Sequence, residues 1–394
     1  MSLDVRRLGP EHAAASKRLE QEAFGVPAGG ASPDDLEKPG SRWWGVLDGA
    51  RLVAQAVDHA YDGWFGGRVL PVSGIGDVTV AAEDRGRRVL QPLLVALLEG
   101  ARERGAVVST LFPTAPRIYR GFGFEVVAAT RRADVPGAAL ASVGPAPDVR
   151  LRRAAPHDTE GVRRLYDTWA SGLDGPLTRR DVLFTATDDE LVGGVTGISL
   201  AEDADGTLLG YASWVRGPGL VPPELLVLDL LATRADAYAA LLRTVGSFSS
   251  VASTVRLRTS GDDLVRLLLP SAAWTAVQED LYMLKVLDVA AACTGARCAP
   301  SLAWRGTFTL AGDVLPGLDG AYAVTAEGGL LSCGRASASD DRTLAPRGLA
   351  LLVTGALPCR DLRVLGLLTG GDPAQDGDWD ALVAGRVRGV LDHF

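Results

Sequence analysis

The stretch that most restricts the fold is residues 69–112. A strand-like run at 69–80 passes through a turn rich in Arg and Gly into a segment with apolar residues at three- and four-residue spacing: Leu90, Leu94, Leu97, Leu98 and Ala101. That spacing predicts an amphipathic helix over 89–104. Arg102, Arg104 and Gly105 end it as a helix terminus should. A short apolar run at 107–112 then predicts a buried strand. Strand, helix and strand in this order build mixed α/β domains. The order returns at 224–259, where ELLVLDLLA runs into ADAYAALLRTVGSF and then TVRLRT. The second unit reads as a diverged internal duplicate. It lacks the Arg/Gly-rich turn, so no second cofactor site is expected there.

At 394 residues the chain exceeds one ordinary core, and two or three domains are expected. Divisions near 145 and 287 give segments 1–145, 146–286 and 287–394. In the first, a strand at 5–8 precedes a helix at 11–24, a surface loop at 25–41 and strands at 43–47 and 51–59. Residues 136–147 read as a linker, followed by a strand at 149–152 and a helix at 158–169. In the last segment the runs 307–312, 321–329 and 348–357 suggest a small sheet, with helices at 359–368 and 379–391.

A net charge of −8 argues against general nucleic-acid binding. Cys293, Cys298, Cys333 and Cys359 form no CxxC pair, and only four His accompany them. No metal site is expected, and the thiols read as reduced cysteines of a cytoplasmic protein. No basic-then-apolar leader opens the chain, so secretion is not expected. No apolar run approaches the length of a membrane span.

The chemistry concentrates in VTVAAEDRGRRVLQPLL, residues 78–94. A helix N-terminus offers unpaired N–H groups and a positive dipole end, an arrangement suited to a diphosphate. Arg85, Arg87 and Arg88 add positive potential. The strand end before the turn can pair with the amides of a pantetheine arm. This stretch resembles the acetyl-CoA motif of GNAT acetyltransferases, Arg/Gln-x-x-Gly-x-Gly/Ala. RGRRVL (85–90) supplies the Arg but has Arg88 where the first Gly is expected, and Leu90 at the last position. Leu at that place, together with TAPRIYRGFGFEVV (114–127) and the closing Phe, resembles the Eis-type (enhanced intracellular survival) branch.

That resemblance implies an α/β (α+β) chain of two tandem GNAT domains, the second degenerate, followed by a sterol-carrier-protein-like domain. It implies a cytoplasmic acetyl-CoA-dependent N-acetyltransferase of the primary amines of small molecules, with aminoglycosides or other polyamines as candidate acceptors, assembled as a homo-hexamer and using no metal. Carried over by position, the cofactor contacts are Val78, Thr79, Val80, Arg85, Gly86, Arg87, Arg88, Val89, Leu90, Gln91, Thr114 and Ala115. Tyr119 becomes the acid, since a phenol is protonated at pH 7; the alternative is a tyrosine packed on a helix. The α-carboxylate of Phe394 becomes the base, carried on a terminal helix; the alternative is a frayed chain end. Glu22, Asp34, Asp35 and Glu37 border the expected acceptor site, or are solvated loop charges. Val26 and His393 stand where the resemblance expects acids, which weakens any preference for aminoglycosides. Trp43, Trp44 and Trp64 fit core packing better than a cleft lining. A catalytically weak acyl-CoA-binding or ligand-carrier protein with the same fold is the rival reading.

Overall fold

The computed structural model describes residues 3–25, 32–217, 225–260, 264–338 and 341–394. The first third comprises β1 (Leu3–Arg7), α1 (Ala13–Phe24), α2 (Asp34–Glu37), β2 (Ser41–Asp48), β3 (Arg51–Phe65), β4 (Arg68–Val80), α3 (Leu90–Glu103), β5 (Val108–Leu111), α4 (Pro116–Arg120) and β6 (Glu125–Pro136). The middle third holds α5 (Gly137–Ala141), β7 (Arg150–Arg153), α6 (Thr159–Ala170), β8 (Leu173–Asp174), α7 (Asp188–Gly193), β9 (Gly197–Glu202), β10 (Leu208–Arg216), β11 (Leu225–Ala232), α8 (Ala235–Gly246), β12 (Thr254–Thr259), α9 (Val265–Leu268) and β13 (Thr275–Val286). The last third adds α10 (Val289–Cys293), β14 (Trp304–Leu310), β15 (Gly320–Glu327), β16 (Leu330–Arg335), β17 (Thr343–Leu344), α11 (Pro346–Val353), α12 (Cys359–Val364), β18 (Leu368–Thr369), α13 (Asp376–Ala381) and β19 (Val387–Arg388).

Twelve strands form one sheet in the order β1-β2-β3-β4-β5-β13-β6-β12-β11-β10-β9-β7. The repeated unit is visible in it. β4 and β5 pair in parallel across α3, and β11 and β12 pair in parallel across α8. In α3, Leu93, Leu94, Leu97, Leu98 and Ala101 are buried, the apolar stripe that a 3.6-residue period places on one face. The end of this helix is fixed by Arg104, whose guanidinium donates to buried Asp58 of β3 at 2.7 and 2.9 Å. β13 lies between β5 and β6, so a strand from just before residue 287 completes the sheet of the first third. The sheet therefore runs unbroken across residues 145 and 146.

Residues 287–394 carry a separate five-stranded sheet in the order β16-β15-β14-β17-β18. It is tied to the large sheet by an ion pair between Lys285 of β13 and Asp313, 2.5 Å apart and almost wholly buried. Three expectations need correction. The run at 348–357 is not a strand: residues 346–353 form α11, with Pro346 in its first turn and Leu and Ala following, all favourable for a helix. The helix expected at 379–391 stops at Ala381, and the chain passes Gly385 in a left-handed conformation (φ 79°) into the short strand β19 and an extended tail. The linker at 136–147 is partly structured, since Pro136 closes β6 and α5 follows at once.

Candidate active site

The site begins where two strands part. β4 and β5 are paired only from Val72 with Val108 to Ile75 with Leu111. β4 continues to Val80 without β5 beside it. On its other edge a bulge sets Asp77 and Val78 against Ala56, between the pairs Gly76–Val57 and Thr79–Gln55. Asp77 takes the left-handed conformation (φ 50°) that such a bulge requires. The Val78–Val80 end of β4 thus stands over an open wedge in the sheet, with backbone groups available to an extended ligand.

The turn after β4 carries Arg85–Val89 into α3. Among the described residues the N–H groups of Gly86, Arg88 and Val89 donate no hydrogen bond, and no side chain caps the α3 N-terminus. Several free donors at a helix start suit an anion. The Gln91 N–H is used, donating to the Arg88 carbonyl at 3.3 Å. Arg88, the departure from glycine, sits at φ 59°, in the region that glycine occupies most easily. Its side chain is exposed, as is that of Arg85, and neither forms an ion pair with a described residue. Arg87 is different. It pairs with buried Asp84 and reaches Asp48 at 3.1 Å, while Arg51 also binds Asp84 at 2.7 Å. Hydrogen bonds first from Arg51 and then from Arg87 hold the Asp84 carboxyl below the usual carboxylate range. The Arg87 guanidinium therefore braces the turn, leaving Arg85 and Arg88 as its unpaired cations.

Across the wedge, Thr114 and Ala115 lead into α4, with Ala115 at its N-cap and Pro116 at its first position. Tyr119 on α4 is buried, its ring 6.3 Å from Phe124. Its hydroxyl makes no hydrogen bond to a described residue. Burial pushes the phenol up to about 12, so it keeps its proton at neutral pH. α4 is held in place by Arg120, which donates to Glu125 at 2.9 Å, and Arg347 of α11 binds the same carboxylate at 2.7 Å.

The chain's last residues reach the same region. Phe394 packs between Tyr61 of β3 (4.9 Å between ring centroids) and Phe112 (5.4 Å), and His393 stacks on Phe112 at 4.1 Å. The slot exists because residue 74 is glycine: a Cβ there would lie 2.7 Å from the Phe394 ring. Gly74 is in the paired part of β4, one step before the strands part. A polar lock holds the tail. Asp392 accepts from Arg179 at 3.0 and 3.1 Å and from the Tyr166 hydroxyl at 3.2 Å. Arg179 also donates to Asp229 at 2.7 and 3.0 Å, and Arg258 donates to the Leu391 carbonyl at 3.2 Å. Burial opposes ionisation of Asp229, but Arg179 outweighs it and keeps the carboxyl ionised below the usual range. Val390 and Leu391 are buried beside this lock.

Glu22 does not face an acceptor: its carboxylate accepts from the Ala82 N–H at 2.5 Å, capping the turn after β4. Asp34, Asp35 and Glu37 are exposed on α2, and Val26 lies outside the described residues. Trp43 is buried in one apolar cluster, and Trp44 and Trp64 are partly buried against two others. Among the described residues no cluster of His, Cys, Asp or Glu could hold a metal ion. Gly74, Tyr61 and the Arg179 lock escaped the sequence reading. A small residue in a strand and an arginine in TRRD carry no local signal of a contact made more than 200 residues away.

Two family models match, both described as an acetyltransferase (GNAT) domain, over residues 4–127 and 175–286. An uncharacterized N-acetyltransferase of Streptomyces avermitilis is 26% identical over 335 residues, 82% of this chain and 81% of its own. The crystal structure of a GCN5-related N-acetyltransferase from Kribbella flavida is 30% identical, covers 100% of this chain and 98% of its own, and superposes with a TM-score of 0.86. Eis1 from Mycobacterium abscessus shares the fold over both full chains at 20% identity and a TM-score of 0.76. With the parted strands, the open turn and the duplicated unit already described, these matches identify the chain as a member of the GCN5-related N-acetyltransferases that carries two such domains in tandem.

Proposed function

We propose that the chain transfers the acetyl group of acetyl-CoA to the primary amine of a small molecule, as an Eis-type enzyme, in the wedge between β4 and β5. In this reading Arg85 and Arg88, with the free N–H groups of the turn, hold the diphosphate. Val78, Thr79 and Val80 pair with the pantetheine arm, and Thr114 and Ala115 line the opposite side. Val89, Leu90 and Gln91 open the helix whose dipole faces the phosphates. The Phe394 α-carboxylate, ionised at neutral pH, takes the proton from the amine. The amine nitrogen attacks the thioester carbon, and the C–S bond breaks as the tetrahedral intermediate collapses. Tyr119 donates its proton toward the departing thiolate and recovers one from solvent. The second GNAT domain has no comparable turn: β11 passes into α8 through Thr233 and Arg234 alone. We assign 287–394 as the sterol-carrier-like domain whose role is to deliver the tail, and a hexamer as the assembly.

The observation that carries this reading is the seating of Phe394 beside the parting point of β4 and β5. Titration of acetyl-CoA calorimetrically, followed by thiol release over a panel of amines, tests it. Binding with release upheld by at least one amine supports transfer. Binding without any release favours the rival acyl-CoA carrier, the reading to which Arg88 at the glycine position lends weight. No binding removes both.

A further inference from the structure

A cavity of about 310 Å³ lies in the second GNAT domain, on the α6 side of β9, β10 and β11. Its volume is at the lower end for small-molecule sites and far exceeds the voids that ordinary packing leaves. The walls are mostly hydrocarbon: Val162 of α6, Leu191 and Val192 of α7, Val195 and Ile198. Val182, Phe184 and Leu191 are partly exposed along the segment that borders it, an apolar fringe to the cavity. The charges at its floor cancel. Arg179 and Arg258 face Asp229 and Asp392, and Arg163 pairs with Asp188 at 2.9 Å. Both floor carboxylates are engaged by Arg179, so neither is left for a cationic ligand.

The cavity adjoins the candidate active site. Asp392 is part of its lining and lies two residues before Phe394. Phe184, on its border, faces the Tyr61 ring at 6.1 Å, and Tyr61 in turn packs on Phe394. One aromatic ring, that of Tyr61, thus separates Phe184 on the cavity's border from Phe394. The segment that carries Phe184 is fixed along β3, with Asp181 accepting from the Asp62 N–H at 3.0 Å and Thr178 N–H donating to the Asp62 carbonyl at 2.8 Å.

We propose that this cavity receives the apolar body of the acceptor, so that the preferred substrates are primary amines bearing a hydrocarbon chain or ring rather than polycations. The assignment rests on the acetyl-transfer reading above. An amine nitrogen at the tail would then place its carbon chain past Tyr61 and Phe184 into a neutral, apolar enclosure. A polyamine or aminoglycoside would have to bury charge there without a free counter-ion.

The test is thiol release with n-butylamine, n-hexylamine, n-octylamine, spermidine and kanamycin, with calorimetric binding of n-octylamine in parallel. Each methylene buried is worth about three- to fourfold in kcat/KM, so octylamine should exceed butylamine by at least about tenfold and exceed both polycations. Val162→Phe and Val195→Phe, which fill the cavity, should bring the octylamine rate down to that of butylamine and abolish octylamine binding. A flat series, a polycation preference, or variants that slow butylamine and octylamine alike would overturn the proposal. Should no amine give thiol release, the acetyl-transfer reading fails by itself. The cavity is then judged by octylamine binding: binding lost in the two variants upholds it, and no binding to the wild-type protein sinks it.

Discussion

Removing the Asp392 side chain probes how the tail is held. In Asp392→Ala the Arg179 guanidinium loses one of its two carboxylates, while the Tyr166 hydroxyl keeps the Leu177 carbonyl as acceptor at 2.9 Å. Arg179 is not orphaned, because Asp229 still receives two hydrogen bonds from it. The loss is therefore below the 3–5 kcal/mol or so that follows when a buried charge is left alone. It is closer to that of one charge-assisted hydrogen bond with its neighbour, about 2 kcal/mol. Val390, Leu391 and Phe394 remain packed, so the tail stays attached by apolar contacts, but its docking equilibrium shifts by roughly 30-fold at about 1.4 kcal/mol per decade. If the tail supplies the base, kcat falls by up to about that factor. Acetyl-CoA affinity stays the same, since the turn at 85–91 makes no contact with Asp392. The assay is thiol release at saturating acetyl-CoA beside a calorimetric titration of acetyl-CoA. Wild-type kcat with wild-type affinity would refute the reasoning, and a parallel fall in affinity would show that the lock supports the whole fold instead.

Further expectations concern single side chains. Tyr119→Phe should lower kcat by roughly 10²–10⁴-fold with little change in acetyl-CoA binding; because burial raises this phenol to about 12, the wild-type rate should show no alkaline decline from it below about pH 10, and an inflection near pH 8 that vanishes in the variant would contradict the assignment. His59 is held neutral by burial, down to about 4 from 6.5, so the unfolded chain takes up its proton first as pH falls. Stability should drop between pH 6.5 and 4 by roughly 3 kcal/mol at most and level off below, and His59→Gln should flatten that part of the urea-unfolding profile; an unchanged slope in the variant refutes it. Arg88→Gly should leave the melting temperature nearly unchanged, because relief of the left-handed conformation offsets the added freedom of the unfolded chain. Arg88→Val should melt below both the wild type and Arg88→Gly, because a β-branched side chain fits the left-handed region worse than arginine does, and equal melting temperatures for the two variants would contradict the strain argument.

What could be read from sequence follows the range of the interactions. Helix α3 and the turn before it were legible because one period and one cluster of Arg and Gly lie within twenty residues or so of each other. The duplicated unit was legible because strand, helix and strand recur in the same order. The segment 348–357 was not, because a short, mostly apolar run suits a buried strand and a buried helix equally. At 379–391 the apolar spacing runs on past the end of α13 at Ala381 and past Gly385, whose positive φ turns the chain away from a helix. The placement of β13 between β5 and β6, the pairing of Arg87 with Asp48, and the Arg179 lock each join residues far apart in the chain. Gly74 illustrates the limit: only the folded chain shows that a hydrogen in place of a side chain makes room for Phe394.

The central claim is that the free carboxylate of Phe394 serves as the base. Adding two residues after Phe394 turns that carboxylate into a neutral amide and forces backbone into a slot framed by Tyr61, Phe112 and Gly74. The lock at Asp392 and the buried residues Val390 and Leu391 are untouched, so the fold should persist. The decisive measurement compares this extended chain with one carrying the same two residues at its N-terminus, by thiol release with one accepted amine and by acetyl-CoA titration. The account predicts that both bind acetyl-CoA equally and that amine acetylation collapses only in the C-terminally extended chain. Equal turnover in the two would contradict it and return the role of base to a side chain such as His393.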